Sequence, residues 1–570
     1  MHNQMHIYYF STHTSPYPSA AASIRAMTMH TMVAAAALAL HLFAVSATRA
    51  SAQLSSSPPP PVAAAAICSC LLSNGVTNFS LPSSPSYTPL LDSSIRNLRF
   101  ELPTVNKPAA IVVPATRRDL QRAVLCARNS SLAIRVRSGG HSYEGQSYTT
   151  QNRVPFALID LSGLNRVRVD GASGTAWVES GATLGEVYRA VGRSSRALAF
   201  PAGSCATVGV GGHAAGGGFG LLSRKFGLAA DNVLDAVLVD AGGRALTRDT
   251  MHGDVFWAIR GGGGGSWGVV YAWKFRLVPV PDSVTVFSVV RTGPTELVAG
   301  LVHRWQYVGP SLPDEFYLSA YIPTPTGRSS DGNHSVSFTG QVLGPKRLAM
   351  SVLSRTYPEL GLAESELSEV SWIESAAKFA GLSTVADLTD RQPGVGRYSK
   401  SKSDYVRAPI SMQDVVKILR YMATGPAEGS MQLDPYGGAM ARIGSAATPF
   451  PHRAGYLYSI QYGVSWKASD VDREDEYVGW LRSFYAFMAP YVTKNPRAAY
   501  VNYLDLDLGT NDWMNATGGM SSGSVGHAAS WGERYFMTNF GRLVRAKTRA
   551  DPGNVFNNAQ SIPPLYSRNV

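Results

Sequence analysis

Cysteine is scarce in this sequence. Cys68, Cys70, Cys126 and Cys205 are all that 570 residues hold, a small number for a chain of this size if disulfides are to hold it together. Basic runs are lacking as well: Lys and Arg outnumber Asp and Glu by 51 to 39, yet no basic stretch or basic helix stands out as a nucleic-acid surface. The excess of +12 reads as diffuse charge, suited to a neighbourhood of acidic wall polysaccharide. No nucleic-acid partner and no metal site are expected.

A long apolar run is missing too. "VAAAALALHLFAV", Val33 to Val45, has signal-peptide length and is short for a membrane span, and no run of about twenty apolar residues follows it. "SATRASAQ" comes next, with Ala50-Ser51-Ala52 as a small-x-small cleavage site before Gln53. Residues 1–52 therefore read as a signal peptide, with an upstream extension if the start is Met27, Met29 or Met32. The product is expected outside the cell or in its wall, with a vacuole or secretory vesicle as the alternative. Asn78, Asn129, Asn333 and Asn515 each begin an Asn-x-Ser/Thr sequon, an acceptor for glycosylation in a secreted chain.

What is present is globular and glycine-rich. Hydrophobic residues make up 45%, charged ones 16%, and 55 glycines imply many tight turns and close backbone approaches. The leader at 53–66, "LSSSPPPPVAAAA" at its centre, has no means of packing, and order is expected from about Ile67. "AAIVVPAT" then reads as a buried strand, "RRDLQRAVLCARNS" as a helix with Leu120, Ala123, Val124 and Ala127 on one face, and "LAIRVRS" as the next strand. "FALIDL" and "GTAWVESG" read as further strands, Thr183 as the N-cap of another helix, and Gly242-Gly243 as a tight hairpin turn. Residues 67–282 form a first α+β unit; 283–511, with aromatic alternating strands and apolar helices, a second; and 512–570 a C-terminal segment with one helix ended by Asp551-Pro552.

Three segments concentrate glycine: "RVRSGGHSYEGQSYT" from Arg135, "PAGSCATVGVGGHAAGGGFG" from Pro201, and "RGGGGGSWGVV" from Arg260. Such backbone exposes N–H groups to a large flat or phosphorylated ligand. None continues into the Gly-Lys-Ser/Thr of a Walker loop, and the second is too glycine-rich to enter a helix at once, as a dinucleotide fingerprint requires. Reactive side chains distinguish the first two: His141 stands in one and Cys205 in the other.

"RSGGHSYEG", "GSCATVGVGGH", "DVFWAIRGGGGGSWGVV", "YVNYLDLDLG" and "DPGNVFNNAQSIPP" occur in that order. Together they resemble the berberine bridge enzyme-like family of plant flavoproteins, within the vanillyl-alcohol oxidase and p-cresol methylhydroxylase (PCMH) superfamily. The resemblance runs from about Ile67 to the end. It implies a PCMH-type FAD-binding domain and a substrate domain whose antiparallel sheet is backed by helices. It also implies FAD held twice, by His141 at the 8α-methyl and by Cys205 at C6, with a disulfide between Cys70 and Cys126 and Cys68 left over. By the same resemblance Ser138, Gly139, Gly140 and Ser142 cradle the pyrophosphate, Gly203, Thr207, Gly212, His213 and Gly217 line the flavin or nucleotide side, and Val270 lies near the adenosine.

On the substrate side the resemblance implies Tyr143, Gln461, Tyr500 and Tyr503 around the flavin, with Val208 governing the approach of O2. Many relatives place a tyrosine where Phe219 stands and a lysine where Ser459 stands. Without that lysine the base is Tyr500 with another partner, or a group the sequence does not reveal. Glutamine at 461 suits a neutral alcohol. The expectation is a monomeric secreted oxidase that takes hydride from an oligosaccharide or monolignol alcohol to FAD and reduces O2 to H2O2. Alkaloid oxidative cyclisation is the alternative on the same fold, and a catalytically impaired secreted flavin-binding glycoprotein the alternative of another class.

Overall fold

The computed structural model describes residues 61–151, 153–325, 332–392, 396–511 and 524–565. The signal-peptide run, its cleavage site, the leader up to residue 60 and the Asn515 sequon lie outside the described residues. Among the described residues, regular structure starts with α1, Pro61–Ser73, ahead of the expected Ile67. Proline suits a first helical turn, the alanine run has high helix propensity, and Ile67 and Leu71 give the helix a buried face. Cys70 on α1 is bonded to Cys126, with Cα atoms 5.6 Å apart, and Cys68 is a free thiol.

Cys126 belongs to α2, Arg117–Asn129, which opens on a reciprocal capping box between Thr116 and Asp119 and buries Leu120, Ala123, Val124 and Ala127 as the spacing demands. Four strands form the first sheet: β1 (Phe79–Ser80), β2 (Ala110–Val112), β3 (Ala133–Arg137) and β4 (Phe156–Asp160). Their order is β1-β2-β4-β3, with β2 and β3 both parallel to β4. The strand–helix–strand unit read from the sequence is therefore present, but β4 lies between its two strands.

A second, antiparallel sheet joins β5 (Val167–Asp170), β6 (Thr175–Glu179), β7 (Val233–Val239), β8 (Ala245–Leu246) and β9 (Val269–Arg276) in the order β5-β6-β9-β7-β8. The hairpin at Gly242-Gly243 pairs Leu238 with Leu246 and Val239 with Ala245, Gly243 taking φ +72°. Helix α3, Leu184–Ser194, packs on this sheet behind a capping box between Thr183 and Glu186.

The middle of the chain builds a seven-stranded antiparallel sheet from β10 (Val284–Pro294), β11 (Phe316–Pro323), β12 (Asn333–Val342), β13 (Ser368–Val370), β14 (Tyr398–Val406), β15 (Gly429–Pro435) and β16 (Tyr458–Trp466). The order is β13-β10-β12-β11-β15-β16-β14. Helices at Thr295–Val308, Met412–Met422 and Glu474–Phe487 cover one face in a common core. Phe316, Leu318, Ile460, Tyr462 and Val464 point into that core, and alternation along the strands turns the intervening side chains to the other face.

The C-terminal segment returns to the first unit: Ala528, Trp531, Tyr535 and Leu543 share a core with Val178, Val210 and Trp273. The tail holds two helices where the sequence suggested one, Ser524–Phe536 and Phe540–Ala550. They part at Met537, whose φ of +50° breaks the helical path, so that Phe540 can turn back onto Trp531. Between the two large units Arg224 is a cross-brace. Its guanidinium is 1% exposed and donates to the carbonyls of Tyr436, Pro313, Phe316, Pro310 and Leu312. A buried guanidinium matched to carbonyls fixes the spacing of the segments that present them.

Candidate active site

The end of β3 is pinned before the first glycine loop begins. Arg137 is fully buried, pairs with Asp160 at 2.5 Å and donates to the carbonyls of Leu90 and Leu91. Ser138 follows and bonds the Ser180 carbonyl at 2.5 Å. The loops then interlock at their glycines. A Cβ on Gly139 would stand 2.2 Å from the Gly209 nitrogen, and one on Gly209 would stand 2.0 Å from the Ser138 hydroxyl. Gly140 adopts φ +70° beside the Ser94 carbonyl. These positions are glycine because backbone passes against backbone there.

Between the loops opens a cleft of about 2570 Å³. Ser138, Gly139, Gly140, His141, Ser142, Gly203, Cys205, Val208, Gly212, His213 and Val270 line it, together with Tyr143, Tyr500 and Tyr503. Thr207, Gly217 and Gln461 stand just behind the wall. Thr207 reaches the two proposed anchors, Gln461 holds Tyr143, and Gly217 (φ +117°) packs against Leu228 and Phe450. The main-chain N–H groups of Gly139, Gly140, His141 and Ser142 have no acceptor among the described residues. The hydroxyls of Ser147 and Ser180, buried on the same wall, also have no partner. Buried donors without acceptors are costly unless a ligand supplies them. The FAD-binding residues read from the sequence thus fit an anionic, many-acceptor group such as a dinucleotide.

The two proposed anchors meet at one hydroxyl. His141 Nε2 lies 2.8 Å from Thr207 Oγ1, and Cys205 Sγ lies 3.6 Å from the same oxygen. Burial, reinforced by Arg96, lowers the His141 pKa to about 3. The ring is therefore a neutral nucleophile, and Nδ1 is the nitrogen not engaged by Thr207. His213 Nε2 accepts the Gly203 N–H at 3.1 Å, and burial lowers its pKa to about 4.

That shift has a measurable sign. Between pH 6.5 and about 4 the unfolded chain protonates His213 while the folded chain does not, so this group's contribution is fully present above pH 6.5 and is lost as the pH falls. His213→Gln keeps an acceptor for Gly203 and removes the titration. Its stability is expected to fall less steeply with acid than the wild type's, by up to about 1.4 kcal/mol per pH unit, measured by denaturant unfolding across that window.

Facing the anchors is an aromatic wall. Tyr143 and Tyr503 stack with centroids 5.6 Å apart, and Phe219 stacks on Tyr436 at 5.1 Å. Gln461 donates to the Tyr143 hydroxyl at 2.6 Å, while burial raises that phenol well above its usual range. A buried ionic cluster holds the wall from behind. Lys400 pairs with Glu144 and, at 3.0 Å, with Asp505, and Lys402 pairs with Asp505 at 2.6 Å and Asp507 at 2.8 Å. Glu144 follows Tyr143 and Asp505 lies two residues past Tyr503, so the cluster orients both tyrosines.

Tyr500 is held by partners other than a lysine. Its hydroxyl oxygen accepts the N–H groups of Gly218 at 3.0 Å and Phe219 at 3.1 Å and the Asn502 side-chain amide at 3.1 Å. Burial raises its pKa, with those bonds pulling partly back. Its partners are backbone and amide donors, which favour the phenolate over the phenol.

Sequence reasoning missed Asn502, the Lys400 cluster and one further acid. Asp434 is 6% exposed on β15, lines the cleft, and accepts hydrogen bonds from Tyr317 at 2.6 Å and Gln432 at 3.1 Å. A signal was present: in "GSMQLDP" two polar residues alternate with Met431 and Leu433, which puts Gln432 and Asp434 on one face of a buried strand.

A glycine-lined dinucleotide cleft with a histidine and a cysteine at its mouth, under an aromatic antiparallel sheet, defines an FAD-dependent oxidoreductase of the α+β PCMH-type fold. A family model for the FAD binding domain matches residues 108–248, and one for berberine and berberine-like proteins matches residues 499–563. Berberine bridge enzyme-like D-1 of Nicotiana tabacum is 49% identical over 520 residues, 88% of this chain and 92% of that one. Reticuline oxidase of Eschscholzia californica is 47% identical over 501 residues, covering 87% of this chain and 91% of that one. The crystal structure of berberine bridge enzyme from Eschscholzia californica superposes with a TM-score of 0.85 at 46% identity, over 88% of this chain and all of that one. The chain belongs to the berberine bridge enzyme-like family.

Proposed function

We propose that the protein is a secreted oxidase that carries FAD on two covalent bonds, from His141 to the 8α-methyl and from Cys205 to C6, and oxidises the carbinol of a small alcohol of oligosaccharide or monolignol type. The observation that carries the reading is the meeting of a neutral His141 and a thiol at the Thr207 hydroxyl, in the cleft that the stacked tyrosines also line. FAD, when bound, supplies the two-electron acceptor, and O2 takes those electrons on to H2O2. The chain's part is to hold, orient and deprotonate. Tyr143 and Tyr503 offer a flat apolar face to an aromatic ring or a pyranose, and Gln461 fixes the Tyr143 hydroxyl as a contact for a substrate oxygen. Val208 lines the cleft three residues after Cys205 with a small side chain, which suits access by O2. Among relatives, a Phl p 4 variant with a TM-score of 0.82 is described as a glucose oxidase.

Secretion is supported by the residue 33–52 pattern and by the exposure of Asn78, Asn129 and Asn333. In the described residues no helix is long and apolar enough to cross a membrane. A second reading, oxidation of a benzylisoquinoline amine, is favoured by Asp434, an acid in the cleft that could face a cation. Peroxide assays of the purified protein with cellobiose, coniferyl alcohol and a benzylisoquinoline separate the two. Turnover of either alcohol is expected; turnover of the amine alone would contradict the alcohol reading, and yellow protein inert to all three would favour a binding role.

A further inference from the structure

Asp434 is a buried acid without a counter-ion. No Lys, Arg or His is paired with it among the described residues, and its pKa is raised by burial, with the bonds from Tyr317 and Gln432 pulling partly back. Buried carboxylates are ordinarily paired. Both of its hydrogen bonds fall on Oδ1, so Oδ2 has no donor. The register of β15 against β16 places Asp434 directly opposite Ser459, within the reach of a cross-strand pair. A lysine at 459 would pair with the acid; serine brings no charge to it.

The other candidates for a proton acceptor on this wall hold their protons more tightly. Burial raises the Tyr500 and Tyr143 phenols above their ordinary range, and Gln461 itself cannot take a proton. Lys400 and Lys402 are spent on carboxylates. Asp434 shares the cleft with Tyr143, and its charge is felt by both Tyr143 and Tyr436.

We propose that Asp434 is the general base of the reaction, its Oδ2 accepting the hydroxyl proton of the alcohol; this rests on the alcohol-oxidising reading above. The O–H bond breaks, its proton bonds to Oδ2, and its electron pair becomes the second C–O bond of the carbonyl product. The carbinol C–H is lost with its electron pair to oxidised FAD, the acceptor that the family's activity supplies, and the Asp434 proton then passes to water. The elevated pKa places this carboxylate nearer the range in which general bases work best. The groups facing it are Tyr317 from β11, Gln432 on its own strand, Ser459 from β16, and Tyr143 and Tyr436. None of these changes charge in acid; His213 elsewhere in the cleft does so near pH 4, and the loss of the acid limb in Asp434→Asn is what assigns the limb to Asp434.

The test uses holoprotein of the wild type, Asp434→Asn, Asp434→Glu and Tyr317→Phe. The rate of anaerobic flavin bleaching by coniferyl alcohol and by cellobiose is followed against pH, and the affinity for each alcohol is measured by calorimetry. For Asp434→Asn the bleaching rate is expected to drop by about a hundredfold or more, with the acid limb gone and with affinity, melting temperature and resting spectrum preserved. Asp434→Glu restores part of the rate. Tyr317→Phe removes a donor to the charged form and moves the acid limb to higher pH. A wild-type rate and limb in Asp434→Asn, or an unmoved limb in Tyr317→Phe, overturns the proposal alone. Loss of benzylisoquinoline affinity in Asp434→Asn, with alcohol bleaching intact, overturns it in favour of a counter-charge for an ammonium group. Wild-type protein bleached by no alcohol overturns the reading on which the proposal stands.

Discussion

Alanine at both His141 and Cys205 is expected to yield protein whose yellow colour stays in the supernatant after acid precipitation, whereas either single variant keeps the colour in the pellet. The reason lies at Thr207, whose one hydroxyl is 2.8 Å from the imidazole and 3.6 Å from the thiol. Each proposed anchor is positioned by the same oxygen but would bond a different ring atom, so loss of one would not remove the other. Two such links at separated atoms would fix the ring plane and, as electron-withdrawing substituents, would raise its potential. Each single variant is therefore expected to show a lower midpoint potential and a rate of substrate oxidation down by about tenfold or more, since 1.4 kcal/mol on a barrier is already tenfold. Denaturation in acid, a potentiometric titration and anaerobic bleaching measure the three effects. Full attachment in either single variant would count against the assignment.

The second large effect concerns the glycine interlock. Gly209→Ala places a methyl 2.0 Å from the Ser138 hydroxyl and 2.3 Å from the Gly139 nitrogen, and Gly139→Ala meets the Gly209 nitrogen at 2.2 Å and the Thr207 carbonyl at 2.7 Å. The obstacles are mostly main chain, which cannot step aside as a flexible side chain would. Overpacking of this kind costs about 1–3 kcal/mol or more. Here the loops that must part are the ones presenting the free N–H groups and the anchors. Both variants are expected to melt earlier and to carry far less FAD per polypeptide. Gly479→Ala is the control: its added Cβ meets nothing within 4 Å, and the residue sits in the helix Glu474–Phe487, outside the lining of the cleft. It should fold and load as the wild type does. Calorimetric melting and the flavin-to-protein absorbance ratio decide between these outcomes.

The glycine loops stood out in the sequence because close backbone packing is written locally, whereas the role of each residue in them came only from the family resemblance. Glycines that let backbone pass backbone stand next to the residues they serve, so Ser138 to Ser142 and Gly203 to His213 could be read in runs. The amphipathic spacing of α2 and the Thr183 cap were equally plain. What escaped depends on contacts distant in sequence. The insertion of β4 between β2 and β3 is a matter of sheet order, and the break at Met537 answers to the packing of Phe540 on Trp531. The early start of α1 shows an alanine-rich stretch gaining order from the core that Ile67 and Leu71 enter. Asp434 was hidden for the same reason. In the chain it is one acid before a proline, and only the register with Ser459 and the hydroxyl of Tyr317 turn it into an unpaired acid in a cleft.

The most direct test of the account is mass analysis of a proteolytic digest of the purified protein under acidic, flavin-preserving conditions. The account predicts one flavin-coloured species in which the peptide containing His141 and the peptide containing Cys205 are joined through a single FAD. Recovery of both peptides unmodified, with the flavin released free, would contradict it.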